Sequence, residues 1–244
     1  MIKDDMQYLT IALPKGKLFY LAKDLFAKVG FVADNLEEKS RKLVITNEEL
    51  KLKFIIAKTA DVPTYVEHGA ADIGVIGKDV LMEAQKDVYE LLDLGFGRCH
   101  LMMAVPKDKK RAKLTDYTHT RVATKFPNVA KQFFTSKGMQ MEYIKMNGSI
   151  ELGPIVGLSE SIVDIVETGT TLRENNLEEI AFIAEASARL IANRASFKLK
   201  FDRISKLVKA LEILPLQSLS LGWMGPAIIG ILIALILPDK IKGE

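Results

Sequence analysis

The residues predict an α/β fold built on a mostly parallel sheet, and three observations carry that prediction. Over roughly the first hundred residues, short apolar runs alternate with segments whose apolar positions recur every three or four residues, the pattern of strand–helix–strand units. Glycines close helical segments at Gly30, Gly69, Gly138 and Gly157, where a left-handed residue ends a helix at least cost. A faint internal echo links Gly69-Ala-Ala-Asp-Ile-Gly-Val-Ile76 with Gly157-Leu-Ser-Glu-Ser-Ile-Val-Asp-Ile165. Each places a glycine-ended helix before a strand, as two similar lobes would; the match is too short to establish two lobes by itself.

Each element follows from its residues. Tyr8-Leu-Thr-Ile-Ala-Leu13 reads as a buried strand, broken by Pro14-Lys-Gly-Lys17. Leu18 to Lys28 has helical spacing, and Lys53-Phe-Ile-Ile-Ala57 is a second strand. Asp61 offers an N-cap and Pro63 a first-turn proline, so the next helix runs to Gly69. Asp72 to Ile76 is a strand, and Gly77-Lys-Asp79 opens another helix. Leu101 to Pro106 reads as a crossing strand and Arg121-Val-Ala-Thr124 as a short one. Asn128 to Lys137 is helical and Met141 to Lys145 extended. After Asn147-Gly148 a helix leads to Gly157, followed by the strand Ser161-Ile-Val-Asp-Ile-Val166. Leu177 to Asn193, apolar at helical spacing, is predicted as a long amphipathic helix, and Phe197 to Leu211 as another.

Composition narrows the function classes. With 244 residues, 48% of them apolar, the chain can bury one large core or two modest ones. Charged residues of both signs make up 27%, which excludes a disordered protein. A net charge of +3 admits anionic ligands without pointing to nucleic acid, and the basic run Lys107-Asp-Lys-Lys-Arg-Ala-Lys113 reads as a solvated loop. Cys99 is the one cysteine, so no disulfide framework and no cysteine metal site is expected, and a reducing cytoplasm fits. His68, His100 and His119 lack metal-ligand spacing. The start, MIKDDMQYLT, lacks the apolar core of a signal peptide. From Ile213 to Pro238 there is no charged residue, and Leu219 to Leu237 reaches the length of a membrane span. Gly222, Gly225, Pro226 and Gly230 interrupt it, which leaves three readings: a span, a helix packed on a partner, or a tail without function.

The stretch Asp164-Ile-Val-Glu-Thr-Gly-Thr-Thr-Leu-Arg-Glu-Asn175 runs from a strand into hydroxyls around one glycine. Gly169 would let the backbone approach an oxyanion, with N–H groups and the hydroxyls of Thr168, Thr170 and Thr171 as donors. Asp164 could accept from sugar hydroxyls, with Glu167 close by. The bland reading is a strand–helix turn with a threonine cap, and the stretch alone does not decide. Lys15 and Lys58 each follow an apolar strand directly, where ligands gather in open α/β sheets, and Lys17, Arg41 and Lys42 add charge. Neither G-x-x-x-x-G-K-[ST] nor G-x-G-x-x-G is present, so an ordinary ATPase or dinucleotide enzyme is disfavoured.

Seven segments, in order, resemble the ATP phosphoribosyltransferase family: LTIALPKGKL (9–18), SRKL (40–43), DVPTYVEHGAADIGVIGKDVL (61–81), YELLDLGFGRCHL (89–101), RVATKFPNVA (121–130), NGSIELGPIVGLSESIVDIVETGTTLRENNL (147–177) and SARLIANRASFKLK (187–200). The resemblance implies a two-lobed fold like that of periplasmic binding proteins, with a cleft between the lobes. Lobe I would hold residues 1–98 with 183–211, lobe II residues 99–182, and an apolar C-terminal tail residues 212–244. It implies transfer of the phosphoribosyl group of phosphoribosyl pyrophosphate (PRPP) to N1 of ATP, with Mg²⁺. Length points to the short form, which works with a separate regulatory subunit similar to histidyl-tRNA synthetase in a hetero-octamer. Carried over, Glu167 to Thr171 would bind the 5-phosphate of PRPP, with Asp164 near the ribose, while Lys15, Lys17, Arg41 and Lys58 would face the pyrophosphate. Lys15, Arg41 and Lys58 are the candidate catalytic residues, and the expected place of action is the cytoplasm.

The departures have consequences. Lys58 stands where the family usually has arginine, keeping charge but losing the bidentate fork. Phe126 replaces a tyrosine whose hydroxyl could contact substrate, and Ile165 stands where type I phosphoribosyltransferases carry a second acid. A solute-binding module and a catalytically weak scaffold are the alternatives from other classes; the threonine loop counts against the first.

Overall fold

The structure, a computed structural model, describes residues 7–214. The chain forms two compact units, and each holds its own sheet. Among the described residues, the first unit comprises 7–77, 86–97 and 188–214, and the second 78–85 and 98–187.

In the first unit, β1 (Leu9–Pro14), α1 (Lys17–Lys28), β2 (Val44–Asn47), β3 (Leu52–Ala57), α2 (Val62–Glu67) and β4 (Ile73–Gly77) come first in the chain. β5 (Tyr89–Asp93), β11 (Ala188–Ala192), α7 (Arg194–Leu199) and α8 (Phe201–Ile213) complete it. The sheet order is β2-β3-β1-β4-β11-β5. β1 is parallel to both β3 and β4, so its residues are flanked on both sides and read as a nearly continuous apolar run. Phe19 and Phe26 of α1 and Phe54 of β3 are fully buried in one cluster, with Ile204, Leu207 and Leu211 of α8 in the same core.

Polar groups fix the two ends of this unit together. Asp72, just before β4, accepts from the Lys200 ammonium at 2.6 Å and from the Thr10 N–H at 2.7 Å. Lys200 also donates to the Tyr8 carbonyl at 2.6 Å, and Arg203 donates to the carbonyls of Gln7, Leu50 and Lys51. Asn193 caps α7 by accepting from the N–H groups of Ala195 and Ser196. Its amide donates to the carbonyls of Val66 and Glu67, satisfying the end of α2. Asp61 stands at the N-cap position of α2, but its side chain makes no capping bond.

The second unit contains α3 (Lys78–Ala84), β6 (Cys99–Pro106), β7 (Arg121–Thr124), α4 (Pro127–Ser136), β8 (Glu142–Lys145), α5 (Leu152–Ile155), β9 (Ser161–Val166), α6 (Thr170–Glu174) and β10 (Leu177–Ala186). Its sheet order is β10-β6-β9-β7-β8. β9 lies at the centre, antiparallel to β6 and parallel to β7.

Two expectations are corrected. The sheets are mixed rather than mostly parallel, because β2, β11, β6 and β10 all pair antiparallel. Leu177 to Asn193 is two strands rather than one helix. β10 has two register shifts against β6, which leave Ile180 and Ile183 without partners in the ladder. Each bulge resets the two-residue alternation and leaves apolar spacings of three, which mimic a helical period. Residues 78–85 belong to the second unit, and β10 stays with β6 to its last residue. The apolar stretch from Leu219 to Leu237 lies outside the described residues; within them, no helix is long and apolar enough to cross a membrane.

Candidate functional site

The loop after β9 forms the wall of a pocket of about 390 Å³. Its lining is Glu151, Asp164 and every residue from Ile165 to Leu172, so six of the predicted site residues, Asp164, Glu167, Thr168, Gly169, Thr170 and Thr171, share one wall. That volume lies at the small end of the range for ligand sites.

The loop's shape comes from Gly169, which sits at φ 70° and ψ 5° in the left-handed region at the N-cap of α6. A Cβ there would lie 3.2 Å from Glu179 Oε1 and 3.4 Å from Arg173 Nη1, so a side chain meets both backbone strain and crowding. The α6 N-terminus has no side-chain cap. Its first N–H groups are thus left for water or a ligand. Since α6 has only five residues, its dipole adds little, and the loop amides and hydroxyls carry the donor capacity. Thr168 Oγ1 and Thr170 Oγ1 lie 3.2 Å apart, and Arg173 Nη2 donates to Thr170 Oγ1 at 3.1 Å. Arg173 thus brings a cation to the hydroxyl cluster. Its signal in the sequence is its place one helical turn beyond Gly169.

Asp164 sits near the carboxyl end of β9, and Oδ1 accepts from the Ile165 N–H at 2.8 Å. Burial pushes its carboxyl up to about 6, the charge of Glu151 adds to that, and Lys125 opposes it. Glu151 and Lys125 both lie in segments that resemble the family, and the fold brings their charges to bear on Asp164. Asp79, buried in the same unit, is also raised by burial, and Lys125 opposes that shift too.

The predicted cations all belong to the first unit. Lys15 and Lys58 leave the carboxyl ends of adjacent parallel strands: Pro14 is in register with Ala57, and the Lys15 N–H extends the ladder to the Ala57 carbonyl at 3.0 Å. Lys17 opens α1, and Arg41 lies in the loop before β2. Gly16, between the two lysines, has φ 87° and donates its N–H to Glu38 Oε1 at 2.7 Å. Phe126 is 1% exposed and packed in the core of the second unit, so in this chain the position serves packing. Among the described residues no group of three or more His, Cys, Asp or Glu is arranged to hold a metal. His68 lies beside Glu67, and the His100 ring faces Phe182.

Comparison with known proteins gives a consistent result. The family model for ATP phosphoribosyltransferase matches residues 58–213. An ATP phosphoribosyltransferase of Citrifermentans bemidjiense is 52% identical over 206 residues, covering 84% of this chain and 97% of that protein. The solved ATP phosphoribosyl transferase (HisG:HisZ) complex from Thermotoga maritima superposes with a TM-score of 0.73 at 33% identity, over 84% of this chain and 96% of that one. The substrate binding protein of an amino acid ABC transporter superposes with a TM-score of 0.54 at 12% identity, over 94% of this chain and 99% of that one. That last likeness shows a fold of the periplasmic-binding-protein type.

Proposed function

This chain belongs to the ATP phosphoribosyltransferase family, and on that premise we propose how its residues divide the work of the reaction. The enzyme transfers the phosphoribosyl group of PRPP to N1 of ATP, giving phosphoribosyl-ATP and pyrophosphate, the first step of histidine biosynthesis. N1 of the adenine supplies its lone pair to C1 of the ribose as the C1–O bond to pyrophosphate breaks. Positive charge grows on the sugar and negative charge on the leaving group, so catalysis calls for fixed charges rather than a protein nucleophile.

In this reading the Glu167–Thr171 loop holds the 5-phosphate through its amides and threonine hydroxyls, assisted by Arg173. Asp164, when ionised, accepts from a ribose hydroxyl and favours the developing positive charge. Lys15, Lys17, Arg41 and Lys58 offset the charge of the pyrophosphate. The observation that carries the reading is the single wall shared by Asp164, Gly169 and the three threonines. A magnesium ion would neutralise pyrophosphate charge when bound. It takes oxygen ligands, and the chain builds no closed cage for it among the described residues. The pocket carboxylates Asp164 and Glu151 would hold it together with substrate oxygens. The regulatory subunit similar to histidyl-tRNA synthetase, within a hetero-octamer in the cytoplasm, belongs to the same proposal; the HisG:HisZ complex among the structural neighbours supports the partner.

The test follows phosphoribosyl-ATP by ultraviolet absorbance in mixtures of ATP, PRPP and Mg²⁺, with and without a regulatory subunit, for the parent and for Gly169→Val. The parent forms product, and the variant raises the KM for PRPP about a hundredfold while changing the KM for ATP little. Equal losses for both substrates would remove the 5-phosphate assignment, and no product in any mixture would remove the whole reading.

A further inference from the structure

We infer that Glu38 is a positioning residue for the cations of the first unit: its carboxylate ties the loop carrying Arg41 to the turn carrying Lys15 and Lys17. The inference rests on the reading of those cations as facing pyrophosphate. Glu38 Oε1 accepts the Gly16 N–H at 2.7 Å, across 22 positions of sequence. The Tyr20 hydroxyl, on the first turn of α1, donates to the same carboxylate. Gly16 is the N-cap of α1, and Glu38 accepts its backbone N–H from a distant loop, the bond an N3 acid makes in a capping box.

The tie reaches Arg41 through short local bonds. The Ser40 N–H donates to the Glu37 carbonyl, and the Lys42 N–H to Ser40 Oγ at 3.1 Å, which folds residues 37–42 into a turn. Leu36, 3% exposed, anchors the loop in the core just before it. On the far side, the Leu43 carbonyl accepts from the Ile56 N–H, in the strand that ends beside Lys58. The backbone of Arg41 is therefore held from two directions, at Glu38 against the α1 turn and at Leu43 against β3. Lys15, Lys17, Arg41 and Lys58 become one mechanically linked set. A carboxylate lowers the positive charge offered to a polyanion, so the contribution of Glu38 is geometric. Misplacing a charged group by about 1 Å can cost up to about a hundredfold in rate.

The experiment measures kcat and KM for Glu38→Ala, Glu38→Gln, Arg41→Ala and the Glu38→Ala/Arg41→Ala double variant in the complete enzyme, with thermal unfolding of each. Glu38→Ala lowers kcat about tenfold, with the KM for ATP within about twofold. Glu38→Gln keeps an oxygen for the Gly16 N–H and stays within about threefold of the parent. In the Arg41→Ala background, removing Glu38 lowers kcat by less than it does in the parent, because residues acting as a unit are not additive and only the Lys15 and Lys17 side of the tie remains to be lost. Tyr20→Phe, which removes one of the two donors and leaves the acid, gives a smaller loss of kcat in the same direction. An undiminished loss in the Arg41→Ala background, or a Glu38→Gln as slow as Glu38→Ala, would overturn the inference. Full kcat in Arg41→Ala alone would instead overturn the reading of Arg41 on which it rests.

Discussion

Asp72 and Asp164 are two aspartates at the margins of two sheets, and their surroundings are opposite. Asp72 stands at the amino end of β4, 4% exposed, with a lysine at 2.6 Å and a backbone N–H at 2.7 Å. Asp164 stands near the carboxyl end of β9, lines an open pocket, and accepts from the N–H of its own neighbour. Among the described residues no ion pair reaches it. The paired acid closes the first unit by joining α8 to the amino ends of β1 and β4. The unpaired acid is held at about 6, a cost that packing does not recover and that a ligand with hydroxyls or a cation can. A buried carboxylate with its own cation is architecture; a half-buried one without, at the carboxyl edge of a sheet, marks a site.

The largest effect that would sharpen this contrast is on stability. Asp72→Asn removes the carboxylate 2.6 Å from the Lys200 ammonium, which is 13% exposed, and should cost about 3–5 kcal/mol in denaturant unfolding. A loss under 1 kcal/mol would show that the pair is not structural. Asp164→Asn should do the reverse. Its native value of about 6 lies above the ordinary 3.8, so the unfolded chain ionises first as pH rises. The ionised form therefore detracts from stability fully above pH 6 and not at all below about 4, and asparagine should gain about 1–2 kcal/mol at pH 7. The same variant should lower kcat/KM for PRPP by at least about tenfold. A variant that is both less stable and fully active would erase the distinction between the two acids.

The first half of the chain was legible because local pattern and tertiary role agree there. Leu9 to Pro14 is a strand buried on nearly all of both faces, Leu52 to Ala57 alternates buried with half-buried positions, and α1 carries its buried residues at helical spacing. β10 was not legible, since its bulges sit in register with another strand that no single segment reveals. The short edge strand β2, VITN, was missed because four residues carry too little periodicity. The threonine loop could be read as a strand–turn–helix with a glycine, but Glu151 reaches its pocket from 13 positions before Asp164 through the fold alone. Glu38 was equally hidden, since its partners lie 22 and 18 positions back along the chain.

The smallest effect expected is also the one most specific to Asp164. The kcat/KM for PRPP reports groups of the free enzyme, where this carboxyl titrates at about 6. Between pH 7 and pH 5 its ionised fraction falls about tenfold, so kcat/KM should fall by a similar factor. The 5-phosphate of PRPP has its own proton near pH 6, and its titration would bend the profile in the same range. The Asp164→Asn variant separates the two, because it retains the substrate's titration and loses the enzyme's. Dividing the parent profile by the variant's should leave a single ionisation near 6 with activity on the alkaline side. A ratio that stays flat from pH 5 to pH 7 would mean that Asp164 is not the acid the ribose meets, and the difference between the two aspartates would then be one of burial alone.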